Sequence, residues 1–172
     1  MRWFPALLLL AVPCAAEAIT SPQQGIYAAT GGGVVLDTAA PVAVGPAWDL
    51  SIGWWTGRYD GVYALGRFTG LGITVRQDWE RGALRTAPAL EVRRGTDVLV
   101  VAYHTFLSVG PVFTSGAVGV EGLLGVGVKY RFQPHLGVGL RLGAGAAWVE
   151  DVRARVTADL VIEFAAPLKR TD

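Results

Sequence analysis

The sequence predicts an all-β fold, eight antiparallel strands running up and down and closed into a transmembrane β-barrel. Three observations predict it. From Val118 onward the chain alternates between an apolar face and a face of glycine and charge, in runs of 13 to 15 residues, longer than the five or six of a usual soluble strand. The apolar faces end in aromatic residues. Finally, 23 glycines and 52% hydrophobic residues occur without any apolar run long enough for a membrane helix.

The strands follow in order. Candidate strands span 24–36, 47–57, 62–77, 83–93, 98–109, 117–132, 136–148 and 152–164. The last three alternate most regularly: Val118, Val120, Leu124, Val126, Val128, Tyr130 and Phe132 on one face oppose Glu121, Gly125, Gly127, Lys129 and Arg131 on the other. Arg67 disturbs the third strand, Pro88 lies inside the fourth, where it fits only a bulge or a strand start, and the fifth is apolar on both faces. Turn chemistry marks the connections at Asp37 to Pro46, Arg58-Tyr59-Asp60-Gly61, Asp78 to Gly82, Arg94-Gly95-Thr96-Asp97, Gly110 to Gly116, Gln133 to His135 and Val149 to Asp151.

Alternation does not say which face is inside. A soluble barrel puts the Leu/Val face inward; three details favour the reverse. A solvated face carries Lys, Thr, Ser and Gln, whereas this one is glycine interleaved with single charges, as suits a narrow interior where glycine makes room for long Arg and Glu side chains. The aromatics Trp48, Trp54, Tyr130, Phe132, Trp148 and Phe164 fall where interfacial girdles of a membrane barrel belong. Lipid also holds no water to satisfy an open sheet edge, so the sheet must close.

The N-terminus reads as a secretory signal peptide over residues 1–18: Arg2, the apolar stretch Leu7 to Val12, and the small-residue cleavage site Ala16-Glu17-Ala18. A lipoprotein signal through Cys14 competes, and Pro13 before it is a poor fit. Cleavage leaves 172 − 18 = 154 residues, one domain over 19–172. Cys14 is the single cysteine, so the mature chain has no disulfide, thiol nucleophile or thiolate metal site. A net charge of +1 gives no support to nucleic-acid binding.

The segment Tyr130-Arg131-Phe132-Gln133-Pro134-His135-Leu136-Gly137-Val138-Gly139, a strand ending in aromatics, a tight turn and a Gly-alternating strand, resembles the hairpins of small Gram-negative outer-membrane β-barrels of the outer-membrane protein A and X type. The resemblance is one of pattern over the whole mature chain. It implies an outer-membrane location, the lipid of that membrane as surroundings, and recognition of a terminal aromatic by the barrel-assembly machinery. Phe164 fits that role, although Ala165 to Asp172 follow it.

If odd positions of the last three strands face inward, hairpin counting sets Ala147 opposite Arg153, Gly143 opposite Thr157, Arg141 opposite Asp159, Gly127 opposite Arg141 and Glu121 opposite Ala147. An interior charge network of Arg141, Asp159, Glu121, Arg153, Arg155, Lys129, Arg131 and Glu163 follows. Arg141 is expected to pair with Asp159, with Gly127 leaving space beside it, and Glu121 to reach Arg153. Such charges fill an interior too narrow for a channel. The alternative is a narrow, anion-preferring pathway lined by Arg76, Arg131, Arg141, Arg153 and Arg155.

Catalysis needs a nucleophile and base within hydrogen-bond reach. His104 lies mid-strand with Ser108 four residues away, roughly 13 Å along a strand. His135 sits in a tight turn, and two isolated histidines make no metal site. Gly137-Val138-Gly139 and Gly143-Ala144-Gly145 lie inside strands and open no helix, so they are not dinucleotide loops. The expectation is a monomeric barrel with no catalytic, cofactor or metal residues, its N-terminus periplasmic, its outward connections short, and a structural role in the envelope. The rivals are the narrow pore, a secreted soluble β-barrel holding an apolar ligand, and a lipid-modifying outer-membrane enzyme.

Overall fold

A computed structural model describes residues 23–38, 42–60, 65–80, 82–98, 100–133 and 135–168. The expected signal peptide at 1–18, Gly61 of the Asp-Gly turn and the end of the C-terminal tail lie outside these residues. Eight strands form: β1 (Gln23–Asp37), β2 (Ala43–Asp60), β3 (Leu65–Glu80), β4 (Ala83–Val98), β5 (Val101–Phe113), β6 (Val118–Gln133), β7 (Leu136–Trp148) and β8 (Val152–Pro167). Each pairs antiparallel with its neighbours, and β1 pairs with β8, so the sheet closes into a barrel.

The strands are longer than their turn chemistry suggests. β4 runs through Arg94-Gly95-Thr96-Asp97 to Val98, β2 includes Pro46, and Asp37 and Asp78 belong to strands. These residues mimic turns because a barrel interior takes charged side chains at strand positions: Asp37, Asp78, Arg93 and Asp97 all point inward and are buried. Among the described residues only Gly82, at φ 82°, needs glycine's conformational freedom, in the tight β3–β4 connection. β8 likewise does not stop at Phe164. Ala165, Ala166 and Pro167 pair with Tyr27, Ile26 and Gly25, so they complete the seam that closes the barrel.

Following hydrogen-bonded partners once round the barrel leads from Ala28 through Ile52, Ile73, Leu90, Val109, Gly122, Ala146 and Ala154. The carbonyl of Ala154 then accepts the N–H of Thr38, so the register advances by 38 − 28 = 10 residues per circuit. A stagger of that size on eight strands tilts them by about 40° and leaves an interior that side chains fill.

Pro88 occupies neither a bulge nor a strand start. The β4–β5 ladder pairs Thr86 with Phe113 and Leu90 with Val109 and has no pairs between them, where Pro88 and Pro111 fall at the same level. Two residues without N–H donors share one interruption.

The outer face is apolar: Leu50, Ile52, Leu71, Ile73, Leu124, Val126, Leu140, Leu142, Leu160 and Ile162 are all exposed. Trp48, Trp79, Phe113 and Trp148 lie toward the end with the β1–β2 connection, and Trp54, Tyr103, Tyr130, Phe132 and Phe164 toward the other. Trp148 is 66% exposed, a tryptophan that water alone would not leave uncovered. An apolar band flanked by two aromatic girdles is the surface of a protein in a bilayer.

Candidate functional site: the charged lumen

With the Leu/Val face outside, the polar residues converge inside. Eight carboxylates are buried among the described residues (Asp37, Asp49, Asp78, Glu91, Asp97, Glu121, Asp159, Glu163), against Arg76, Arg85, Arg93, Lys129, Arg141 and Arg155. Half-buried Arg131 and Arg153 join them. The lining is therefore as acidic as it is basic, unlike the arginine lining of the anion-preferring alternative: β1 to β4 supply the acids Asp37, Asp49, Asp78, Glu91 and Asp97.

Ion pairs link these groups across the lumen. Arg76 on β3 donates to Asp159 on β8 at 2.9 Å and stands 3.6 Å from Asp49 on β2. Arg141 on β7 lies 3.7 Å from the same Asp49 carboxylate and donates to Glu91 on β4. Glu91 also accepts from Arg93, whose guanidinium reaches Glu163 at 2.8 Å and the Ser51 hydroxyl at 2.9 Å; Lys129 on β6 donates to the other Glu163 oxygen. The result is one continuous chain, Asp159–Arg76–Asp49–Arg141–Glu91–Arg93–Glu163–Lys129, drawn from six strands. A second cluster lies nearer the β1–β2 end, where Arg155 meets Asp78 at 2.9 Å, Glu121 at 3.3 Å and Asp37 at 3.7 Å, and Arg85 donates to Glu121. Arg131 pairs with Asp97 at 2.9 Å near the opposite mouth.

The expected registers hold: Arg141 faces Asp159, Ala147 faces Arg153, and Glu121 faces Ala147. The expected partners do not. Arg141 bonds Glu91 while Asp159 receives Arg76, and Glu121 takes Arg85 and Arg155 in place of Arg153. A long guanidinium crosses a narrow lumen as readily as it reaches the adjacent strand, so distant strands compete for each carboxylate.

The interior glycines accommodate aromatic rings more than arginines. A Cβ on Gly127 would meet the His104 ring, one on Gly125 the Phe106 ring, and one on Gly53 or Gly72 the Tyr27 hydroxyl. Rings laid on bare backbone carry the cations in turn: Arg93 sits 4.3 Å above the Tyr27 ring and Arg141 4.0 Å above Phe106. Asp49, Glu91, Arg93 and the Tyr27 and Phe106 rings were not singled out from sequence, and His104 was weighed there only as a catalytic base or metal ligand. The available signal was their placement on the inward positions of β1 to β5, hidden where the alternation is less regular.

The remaining polar candidates are dispersed. His104 is buried against Gly127, with Ser108 buried on the same inward face of β5. His135 is exposed, and its Nδ1 donates to the Ala165 carbonyl at 3.1 Å. No group of three His, Cys, Asp or Glu able to hold a metal ion occurs among the described residues. A cavity of about 30 Å³, large enough for water, adjoins Tyr27, Trp55, Arg93, His104 and Lys129.

No family model matches the chain, and no curated protein is similar to it. Solved structures do resemble it. Neisserial surface protein A superposes with a TM-score of 0.58 at 11% identity, covering 81% of this chain and 96% of that one. The N-terminal β-barrel domain of Pseudomonas aeruginosa OprF gives 0.47 at 12% identity over 83% and 99%, and the outer membrane enzyme PagL 0.49 at 13% over 80% and 98%. Likeness at this identity speaks for fold alone. Together with the lipid-facing exterior and the closed register, the likeness to neisserial surface protein A gives this chain the fold of an eight-stranded antiparallel transmembrane β-barrel, similar to those of Gram-negative outer membranes.

Proposed function

We propose that the protein is a non-conducting outer-membrane barrel with a structural role in the envelope. The observation that carries this reading is the ion-pair chain from Asp159 to Lys129, which crosses the middle of the lumen with side chains from six strands. An ion entering would have to displace buried partners, and stripping one member from a buried pair costs about 3–5 kcal/mol. The reading places the N-terminus on the periplasmic side, with outer-membrane lipid as the surroundings, the barrel-assembly machinery as the partner in biogenesis, and a monomer as the working unit. It assigns no catalysis, cofactor or nucleic-acid partner. The connections at 38–42, 81–82, 114–117 and 149–151 then face outward, and their shortness supports a scaffold over a receptor.

Planar-bilayer recording tests it. Pure refolded protein is expected to give no unit conductance steps in concentrated potassium chloride, whereas a variant carrying both Glu91→Ser and Arg141→Ser is expected to pass current. Reproducible steps from the unaltered protein would establish the pore instead.

A further inference from the structure

The lipid-facing surface carries one feature that neither spanning nor closing a barrel requires. In the β3–β4 register Arg67 pairs with Thr96 and Thr69 with Arg94. All four belong to the outward face, so the two arginines are diagonal neighbours, about 7–8 Å apart at the backbone and within reach of one another's side-chain ends. Both are exposed, and neither pairs with a carboxylate among the described residues. Over 42–57, 66–79, 83–98 and 101–113 the outward positions of β2 to β5 include no acid; Asp60, at the end of β2, stands at an outward register position. Arg94 lies four residues inside the β4 end at Val98, within the girdle level marked by Tyr103 and Tyr130, where an uncompensated charge is disfavoured. Hydroxyls surround it: Thr69 on one side and Thr105 on the other, the latter donating to the Arg94 carbonyl at 3.2 Å.

An apolar groove of about 680 Å³ leaves from Arg94 and runs past Tyr103, Val126, Leu140 and Leu142 to Ala158. Because hydrogen-bonded partners climb from strand to strand, the groove rises from the girdle into the apolar band. It thus offers cationic and hydroxyl donors at interface depth and a hydrocarbon-lined channel leading inward. That is the division of a diacyl phospholipid, with phosphate at one end and acyl chain at the other.

We propose that Arg67 and Arg94 hold the phosphate of one periplasmic-leaflet glycerophospholipid, an acyl chain of which lies in the Tyr103–Ala158 groove. The choice of leaflet rests on the orientation proposed above, which puts the β2–β3 and β4–β5 ends in the periplasm. Two guanidiniums that pair with no carboxylate among the described residues select an anionic headgroup, and the Thr69 hydroxyl supplies a further donor to its oxygens, the Thr105 O–H being taken by the Arg94 carbonyl.

Native mass spectrometry of the refolded mature chain in detergent tests the site with dioleoylphosphatidylglycerol as the probe. One retained adduct is expected on the unaltered protein, weakened at least tenfold in the Arg67→Gln, Arg94→Gln variant, with dioleoylglycerol giving none. Equal retention by the variant, or binding of dioleoylglycerol as tight as that of the phospholipid, overturns the proposal. The unaltered protein gives a second readout should the variant fail to fold: dioleoylphosphatidic acid is expected to compete for the adduct and a cationic diacyl trimethylammonium lipid is not, and competition by the cation overturns the site. Displacement of phosphatidylglycerol by lipid A from the same arginines would overturn the leaflet assigned, while the absence of conductance would still uphold the closed barrel.

Discussion

Arg141 and Asp159 face each other across the β7–β8 seam in perfect register, yet each makes its ion pair elsewhere: Arg141 with Glu91 and Asp49, Asp159 with Arg76. Adjacent strands put these side chains near one another, and the lumen decides between that neighbour and groups across the barrel.

A double-mutant cycle measures that choice. Coupling between Arg76 and Asp159, read by urea unfolding of the refolded barrel with Arg76→Ala, Asp159→Ala and the double variant, is expected at about 2 kcal/mol, and between Arg141 and Asp159 below about 1 kcal/mol. The reverse order would restore the adjacent-strand pair as the dominant one.

Gly127 should be intolerant for a stated reason. Gly127→Ala drives a methyl into the His104 ring and is expected to cost about 1–3 kcal/mol of unfolding free energy. In a His104→Ala background the same substitution should cost almost nothing. An unchanged penalty in that background would mean that backbone, not the ring, excludes the side chain.

The β4–β5 seam should open locally before the rest of the barrel. The ladder lacks pairs between Thr86·Phe113 and Leu90·Val109, so the flanking amides of Thr86, Leu90, Val109 and Phe113 are expected to exchange with deuterium faster than those of Val92 and Leu107 on the same strands. Uniform protection along β4 and β5 would remove the prolines as a weak point.

A closed sheet with no free edge should also resist detergent. Unboiled refolded protein is expected to migrate differently from boiled protein on SDS electrophoresis. Identical mobility, with a monodisperse species in plain buffer, would instead support a soluble β-protein with its apolar face inward.

Much of the barrel was legible in the chain. In β6 to β8, Val126, Leu140 and Leu160 alternate with Gly127, Arg141 and Asp159, and side chains of period two must face two different media. The same count recovered the β6–β7 and β7–β8 registers, because short turns leave little choice of pairing. Strand ends were less legible. Asp37, Asp78 and the Arg94–Asp97 segment have turn composition, and their strand character depends on partners such as Arg155 and Arg131, distant along the chain.

The sequence by itself determined the strand pattern, the outward apolar face with Trp48, Trp54, Tyr130, Phe132, Trp148 and Phe164, and the inward placement of charge on β6 to β8. Those properties are local: alternation and turn length act over a few residues. Only the tertiary structure decided which carboxylate each arginine holds, that Tyr27, His104 and Phe106 lie on glycine backbone, and that Arg67 and Arg94 stand together on the lipid side. Closure with a ten-residue stagger brings far strands within one side chain's reach, and no local rule ranks the partners it assembles.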